Sequence, residues 1–137
     1  MTTVRWLLLA ALVMGIGGTG IELLLINHLE AWPQLIPVVL LALSLLVVAW
    51  QTVMPGEVST QALQVTMVLF MAAGLMGRVF HFQGARACQL EVDPSLTGAA
   101  LFWKTVRAKA PPALAPGSMI GLGIVGLAYA QCARRTQ

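Results

Sequence analysis

The sequence predicts an all-α membrane protein, a four-transmembrane-helix bundle with a short amphipathic interfacial helix in its third loop. Two observations predict this fold class. The 137 residues are 58% hydrophobic and 9% charged, whereas an average soluble domain carries about a quarter charged residues. Four apolar segments are each long enough to cross the hydrocarbon core of a bilayer, which takes about 20 helical residues. The length accommodates a single membrane domain, residues 1–137.

The four predicted spans cover residues 6–26, 35–53, 61–82 and 113–132. The first is expected to be a retained helix, because no A-x-A cleavage site follows its apolar core. Pro37 lies in the first turn of the second span, where a missing backbone N–H costs least. The first two connections are short, and short connections make sequential helices antiparallel neighbours. The pattern therefore predicts a compact four-helix bundle.

The third connection, residues 83–112, is long enough to contain a further helix. Asp93-Pro94-Ser95 is typical of a helix start with Ser95 as the N-cap. Apolar residues then recur at helical spacing around Trp103, and basic residues cluster towards the end. This pattern predicts an interfacial helix over residues 95–109, with Trp103 in the interfacial belt of the bilayer.

Small residues recur at four-residue spacing in three of the spans. The pairs are Gly15 and Thr19, Ala73 and Gly77, and Gly117 and Gly121. Within lipid, such pairs let helix backbones approach closely. We interpret them as helix-packing faces rather than as a cofactor site.

An even number of spans places both termini on the same side of the membrane. Arg5 precedes the first span, and the loop after that span contains no Lys or Arg. The opposite side carries Arg78, Arg86, Lys104, Arg107 and Lys109, so the positive-inside rule gives a divided result. Because the first helix usually dominates, we favour termini in the cytoplasm. The net charge of +3 fits attraction to anionic lipid headgroups, and no basic run is long enough to follow a nucleic-acid backbone.

Glu22 is the most informative single residue, because it lies within an otherwise apolar span. A carboxylate at membrane depth costs a few kcal/mol unless it finds a partner or water. Spans one and three run in the same direction, so their ends reach the same membrane face. The residues predicted to form an intramembrane polar cluster at this end are Glu22, His28, Glu30, Arg78, His81 and Asp93. Within the cluster we expect an ion pair between Glu22 and Arg78, whose loss would leave a buried charge.

The same end of the bundle contains candidate metal ligands. His28, His81 and Glu30, with Asp93 as a fourth group, have the ligand types of a zinc or iron site. Two facing histidines also suit the axial positions of a haem. His28 and Glu30 lack the i, i+3 or i+4 spacing that places two ligands on one helical face. Hydrogen-bonded surface histidines are therefore an open alternative, and the metal is unknown.

Two stretches carry a resemblance to a known group of proteins. They are residues 20–37, GIELLLINHLEAWPQLIP, and residues 93–98, DPSLTG, followed by residues 113–129, ALAPGSMIGLGIVGLAY. In order and content they resemble an uncharacterised family of small four-span bacterial inner-membrane proteins with no established activity. The resemblance implies a bacterial inner-membrane location. It marks as family-like the positions Glu22, His28, Glu30, Gln34 and the segment around Asp93.

Three functions are compatible with these features. The chain has no Walker A motif, dinucleotide-binding loop or Ser/His/Asp triad, which favours a non-enzymatic accessory or assembly subunit of a membrane complex without a cofactor. The first alternative is a proton-coupled carrier or permease subunit that uses Glu22, Arg78 and His81 within a homo-oligomer. The second is a metal- or haem-binding redox protein that uses His28 and His81. The expected partners are the lipid bilayer and either another protein or further copies of the chain, and not nucleic acid.

Overall fold

The structure is a computed structural model that describes residues 3–25, 32–108 and 114–134. The helices in these ranges are α1 (Thr3–Leu25), α2 (Trp32–Val53), α3 (Glu57–Val92), α4 (Gly98–Val106) and α5 (Leu114–Arg134). Four of them, α1, α2, α3 and α5, are long and apolar enough to cross a membrane. The prediction of an all-helical, multi-pass membrane protein is confirmed.

Helix α3 is much longer than the predicted third span. It has 36 residues, about 54 Å at the usual rise, against a hydrocarbon core of about 30 Å. The sequence prediction ended the span at Phe82, where the apolar run stops. The polar segment that follows contains no proline until Pro94, and the residue before a proline is disfavoured in a helix. The helix therefore continues for ten residues past the predicted end and stops at Val92.

The four apolar helices have a circular order of neighbours. Helix α1 packs against α2 and α5, and helix α3 also packs against α2 and α5. Over the described ranges, no Cα atom of α1 comes within 8 Å of α3. Helices α1 and α3 therefore lie on opposite sides of this arrangement and both run antiparallel to α5.

Glycines bring helices α3 and α5 close together. A Cβ atom added to Gly74 would lie 2.7 Å from the carbonyl oxygen of Pro116. A Cβ atom on Gly123 would lie 2.9 Å from the carbonyl oxygen of Met67. The fully buried side chains around these contacts include Leu12, Ile16, Leu63, Met67, Phe70 and Tyr129. The core is thus centred on the contact between α3 and α5, where backbone approaches backbone.

Helix α4 lies against the end of α3 that extends beyond the predicted span. The rings of Phe82 and Phe102 are tilted against each other, with centroids 5.9 Å apart. Lys104 Nζ lies 3.7 Å from a carboxylate oxygen of Asp93. The helix is shorter than the predicted 95–109, and the predicted N-cap Ser95 is wrong. The Ser95 backbone N–H and hydroxyl instead donate to Asp93 Oδ1 at 3.1 and 2.6 Å, forming an Asx-type turn before the helix.

The Asp93 turn is expected to make the position of α4 sensitive to acid. Hydrogen bonds from Ser95 and the nearby Lys104 lower the pKa of Asp93 below its usual value of 3.8. A lowered pKa stabilises the folded turn above the unfolded pKa, and this contribution is lost as the pH falls through the folded value. In a variant with Trp6, Trp32 and Trp50 replaced by Phe, Trp103 is the sole tryptophan, and its fluorescence should stay constant from neutral pH to about pH 4.5 and change at lower pH. Asp93→Asn should remove the transition, and an unchanged acid transition in that variant would contradict the assignment.

Candidate functional site

The structure places four of the six predicted cluster residues. Glu22 is exposed on α1, one turn before the helix ends, and Arg78 and His81 are exposed on α3. Asp93 follows α3 in the turn described above. His28 and Glu30 lie outside the described residues. The predicted metal or haem site, which requires them, therefore lies outside the described residues as well. Among the residues that are described, no three His, Cys, Asp or Glu side chains are close enough together to bind one metal ion.

Glu22 and Arg78 lie at nearly the same depth. A Cβ atom on Gly126 of α5 would touch Met67, and would lie 3.5 Å from Leu12 Cδ1, so Leu12 and Met67 mark one level of α1 and α3. Glu22 lies ten residues after Leu12, and Arg78 eleven after Met67. Because the two helices are parallel, the depths of the two charges differ by one residue, about 1.5 Å.

The predicted ion pair between these residues is absent from the structure. Glu22 and Arg78 make no ion pair with each other or with any other described residue. The reason is the circular order of the helices, which places α1 and α3 apart. Arg78 instead extends over the start of α5, where its Nη2 lies 3.8 Å from the position of a Cβ atom on Gly117. Within the described ranges, the two charges therefore form no ion pair inside a single chain.

Glu22 lies on an open face of α1. The buried residues of this helix form a single stripe, Arg5, Leu9, Leu12, Ile16, Thr19 and Leu23. Glu22 falls outside the stripe, with exposed neighbours Gly18 and Leu25 one turn before and after it. A Cβ atom on Gly17 or Gly18 would meet nothing within 4 Å. We call this surface, formed by Gly17, Gly18, Ile21, Glu22 and Leu25, the Glu22 face.

A group of buried polar side chains lies at the opposite end of the helices. Arg5 near the start of α1 is buried, and its guanidinium lies 5.6 Å from the ring centroid of Tyr129 on α5. Gln51 near the end of α2 is also buried, and its Nε2 donates to Thr60 Oγ1 on α3 at 3.1 Å. Within the described residues, Gln51 Oε1 and the Tyr129 hydroxyl are buried without a hydrogen-bond partner.

This buried polar end was not predicted from the sequence. Arg5 was expected only to mark the orientation of the chain, and Gln51 was not a candidate residue. The available signal was positional: Arg5 and Tyr129 lie within two turns of the same membrane side, and Tyr129 is the chain's one tyrosine. Buried aromatic residues with a polar tip usually have a polar neighbour, so Tyr129 could have been matched with the nearby cation.

The described polar side chains fall into two groups. Glu22 and Arg78 are exposed charges on α1 and α3, and the buried end combines a cation, an aromatic ring and neutral amides or hydroxyls. No protein-family model, curated protein or solved structure matches this chain.

Proposed function

We propose that the protein is a non-enzymatic accessory or assembly subunit of a membrane complex and that it contacts its partner through the Glu22 face. The observation that carries the proposal is the position of Glu22, which is exposed on the outside of α1 at the depth of an apolar span. Here a carboxylate costs a few kcal/mol. A protein donor at the same depth would satisfy it.

The surroundings of Glu22 suit a helix-to-helix contact. Gly17 and Gly18 leave open space beside the carboxylate, and small residues let a second helix approach closely within lipid. An external carboxylate is accessible to another membrane-spanning protein, which supports a partner-binding role. The partner is therefore a membrane-spanning protein that presents a hydrogen-bond donor to the Glu22 face.

The proposal includes the finer architecture expected from the sequence. The circular order of α1, α2, α3 and α5 supports a four-helix bundle. Phe102 and Trp103 on α4 are about half exposed, and Arg107 lies 5.5 Å from the Trp103 ring centroid. Exposed aromatic rings beside cations are typical of a helix at the membrane interface. We place α4 there, at the end of the bundle from which α3 projects.

The proposed location is a bacterial inner membrane, with the termini in the cytoplasm. The location follows from the resemblance to small four-span bacterial membrane proteins. The orientation follows from Arg5 at the start of the first span and from a first loop without Lys or Arg. A tag on each terminus, tested for protease access in intact spheroplasts, distinguishes the two orientations.

Co-purification from native membranes tests the function. The tagged full-length chain, extracted in a mild detergent, should bring a stoichiometric membrane-spanning subunit with it. Glu22→Gln should reduce the recovered partner about tenfold or more, since an unsatisfied hydrogen bond to a charged group costs about 1.5–3 kcal/mol and 1.4 kcal/mol is a factor of ten.

Glu57→Gln is the matched control for this experiment. Glu57 is also exposed, but it lies in the first turn of α3 at the other end of the helices. Its substitution should leave recovery of the partner unchanged. Equal losses in both variants would contradict the assignment to the Glu22 face. A Soret band or stoichiometric metal in a preparation without any partner would instead favour the redox alternative.

A further inference from the structure

We infer that the partner at the Glu22 face is a second copy of the chain, and that Glu22 of one copy pairs with Arg78 of another. The inference rests on the proposed function and identifies the partner of the same face. Each copy presents one acid and one base that are exposed and lie at nearly the same depth. The surface of the chain is therefore complementary to itself.

Among the described residues, a single copy offers these charges no ion-pair partner. The backbones of α1 and α3 do not approach within 8 Å, and neither Glu22 nor Arg78 has an ion-pair partner among the described residues. Left facing lipid, each charge carries its own cost. One contact between copies removes both costs together, because the carboxylate and the guanidinium form a charge-assisted hydrogen bond.

Small residues lie beside both charges. Gly17 and Gly18 border Glu22 with open space, and Arg78 lies against Gly117 of α5. The Glu22 side of the proposed contact therefore admits a helix at short distance, as packing between helices in lipid requires. The long Arg78 side chain covers the small difference in depth that remains between the two groups.

Cysteine cross-linking in native membranes tests the inference directly. The background is Cys88→Ala with Cys132→Ala, which removes both native thiols. One tagged copy carries Ile21→Cys, next to Glu22, and a differently tagged copy carries Leu75→Cys, one turn from Arg78. Both positions are exposed. Oxidation of co-expressing membranes should produce a disulfide-linked species that carries both tags.

A depth-matched control separates a specific contact from random collision. Ile36 is exposed on α2 and lies at the depth of Leu75 on α3. The hydrogen bond from Gln51 to Thr60 marks one level of the two helices, and Ile36 and Leu75 are equally far along their helices from that level. Copies with Ile21→Cys and Ile36→Cys should cross-link at least about tenfold less. Equal cross-linking of the two pairs would overturn the inference.

Charge variants establish whether the ion pair drives the contact. Glu22→Gln and Arg78→Gln should each reduce the mixed-tag species about tenfold, and Glu57→Gln should leave it unchanged. Exchange of the charges, Glu22→Arg with Arg78→Glu, should restore it. Cross-linking that persists in both Gln variants overturns the inference. Thermal stability in detergent, measured on each variant, identifies any loss of cross-linking that comes from misfolding. If a single variant misfolds, recovery of cross-linking in the charge-exchanged double variant decides whether the ion pair drives the contact.

The outcomes separate this inference from the proposed function. If copies do not cross-link but Glu22→Gln still reduces the recovery of a different membrane protein, the inference is wrong and the accessory role holds. If copies cross-link through the charges, the inference holds, and the accessory role holds only if a different membrane protein is also recovered with the tagged chain. If neither cross-linking nor co-purification depends on Glu22, both are wrong.

Discussion

Gly74→Ala is expected to destabilise the protein by about 1–3 kcal/mol, the usual cost of overpacking a filled core. A Cβ atom at this position would lie 2.7 Å from the Pro116 carbonyl oxygen and 2.8 Å from Ile120 Cγ1. The Pro116 oxygen belongs to the backbone of α5, so it cannot turn away as a flexible side chain would. The two helices must separate instead. Equilibrium unfolding in mixed micelles with increasing SDS measures the change.

Gly121→Ala is the matched control for this prediction. Gly121 lies on α5, like the residues that Gly74 meets, but an added Cβ atom would find nothing within 4 Å. The variant should be unchanged or slightly more stable, because alanine is favoured over glycine in a helix interior by about 1 kcal/mol. A control variant that is destabilised as much as Gly74→Ala would mean that the close approach of α3 and α5 is not the cause.

The glycines show which part of the packing could be predicted from the sequence. Four-residue spacing correctly placed Gly15 and Gly77 at helix contacts, where added Cβ atoms would meet Leu122 and Pro116. The same rule selected Gly121, which faces open space, and missed Gly123. Helix α5 has glycines on more than one face. Four-residue spacing shows that two glycines share a face, but it does not show which helix, if any, packs against that face.

The polar cluster was also predictable only in part from the sequence. Helix direction was enough to place Glu22 and Arg78 at one end, because spans one and three run in the same direction, but their nearly equal depth emerged only from the structure. Whether the two groups touch depends on which of the four apolar helices are neighbours. Short loops constrain sequential neighbours and leave the relation of α1 to α3 open. In the structure α1 packs against α2 and α5 and not against α3, so the expected ion pair between Glu22 and Arg78 does not form.

Tyr129→Ala is expected to cost about 3–5 kcal/mol of folding free energy, the range for removing a large buried aromatic side chain. Tyr129 is fully buried between helices, and its ring lies 5.6 Å from the guanidinium of Arg5. The substitution leaves a cavity and also removes a cation–π contact from a buried cation, which is worth up to about 2 kcal/mol when desolvated. The same SDS titration measures the loss.

Tyr129→Phe separates the ring from the hydroxyl. In the described structure the hydroxyl is buried without a hydrogen-bond partner, so its removal recovers a desolvation cost of about 1–3 kcal/mol and sacrifices no hydrogen bond. The variant keeps the ring beneath Arg5 and should be as stable as the wild type or more stable. Arg5→Met, which retains an unbranched apolar stem, should make Tyr129→Ala less costly, because no buried cation is then left exposed to the cavity. If Tyr129→Phe is as damaging as Tyr129→Ala, the hydroxyl and not the ring stabilises the contact between α1 and α5.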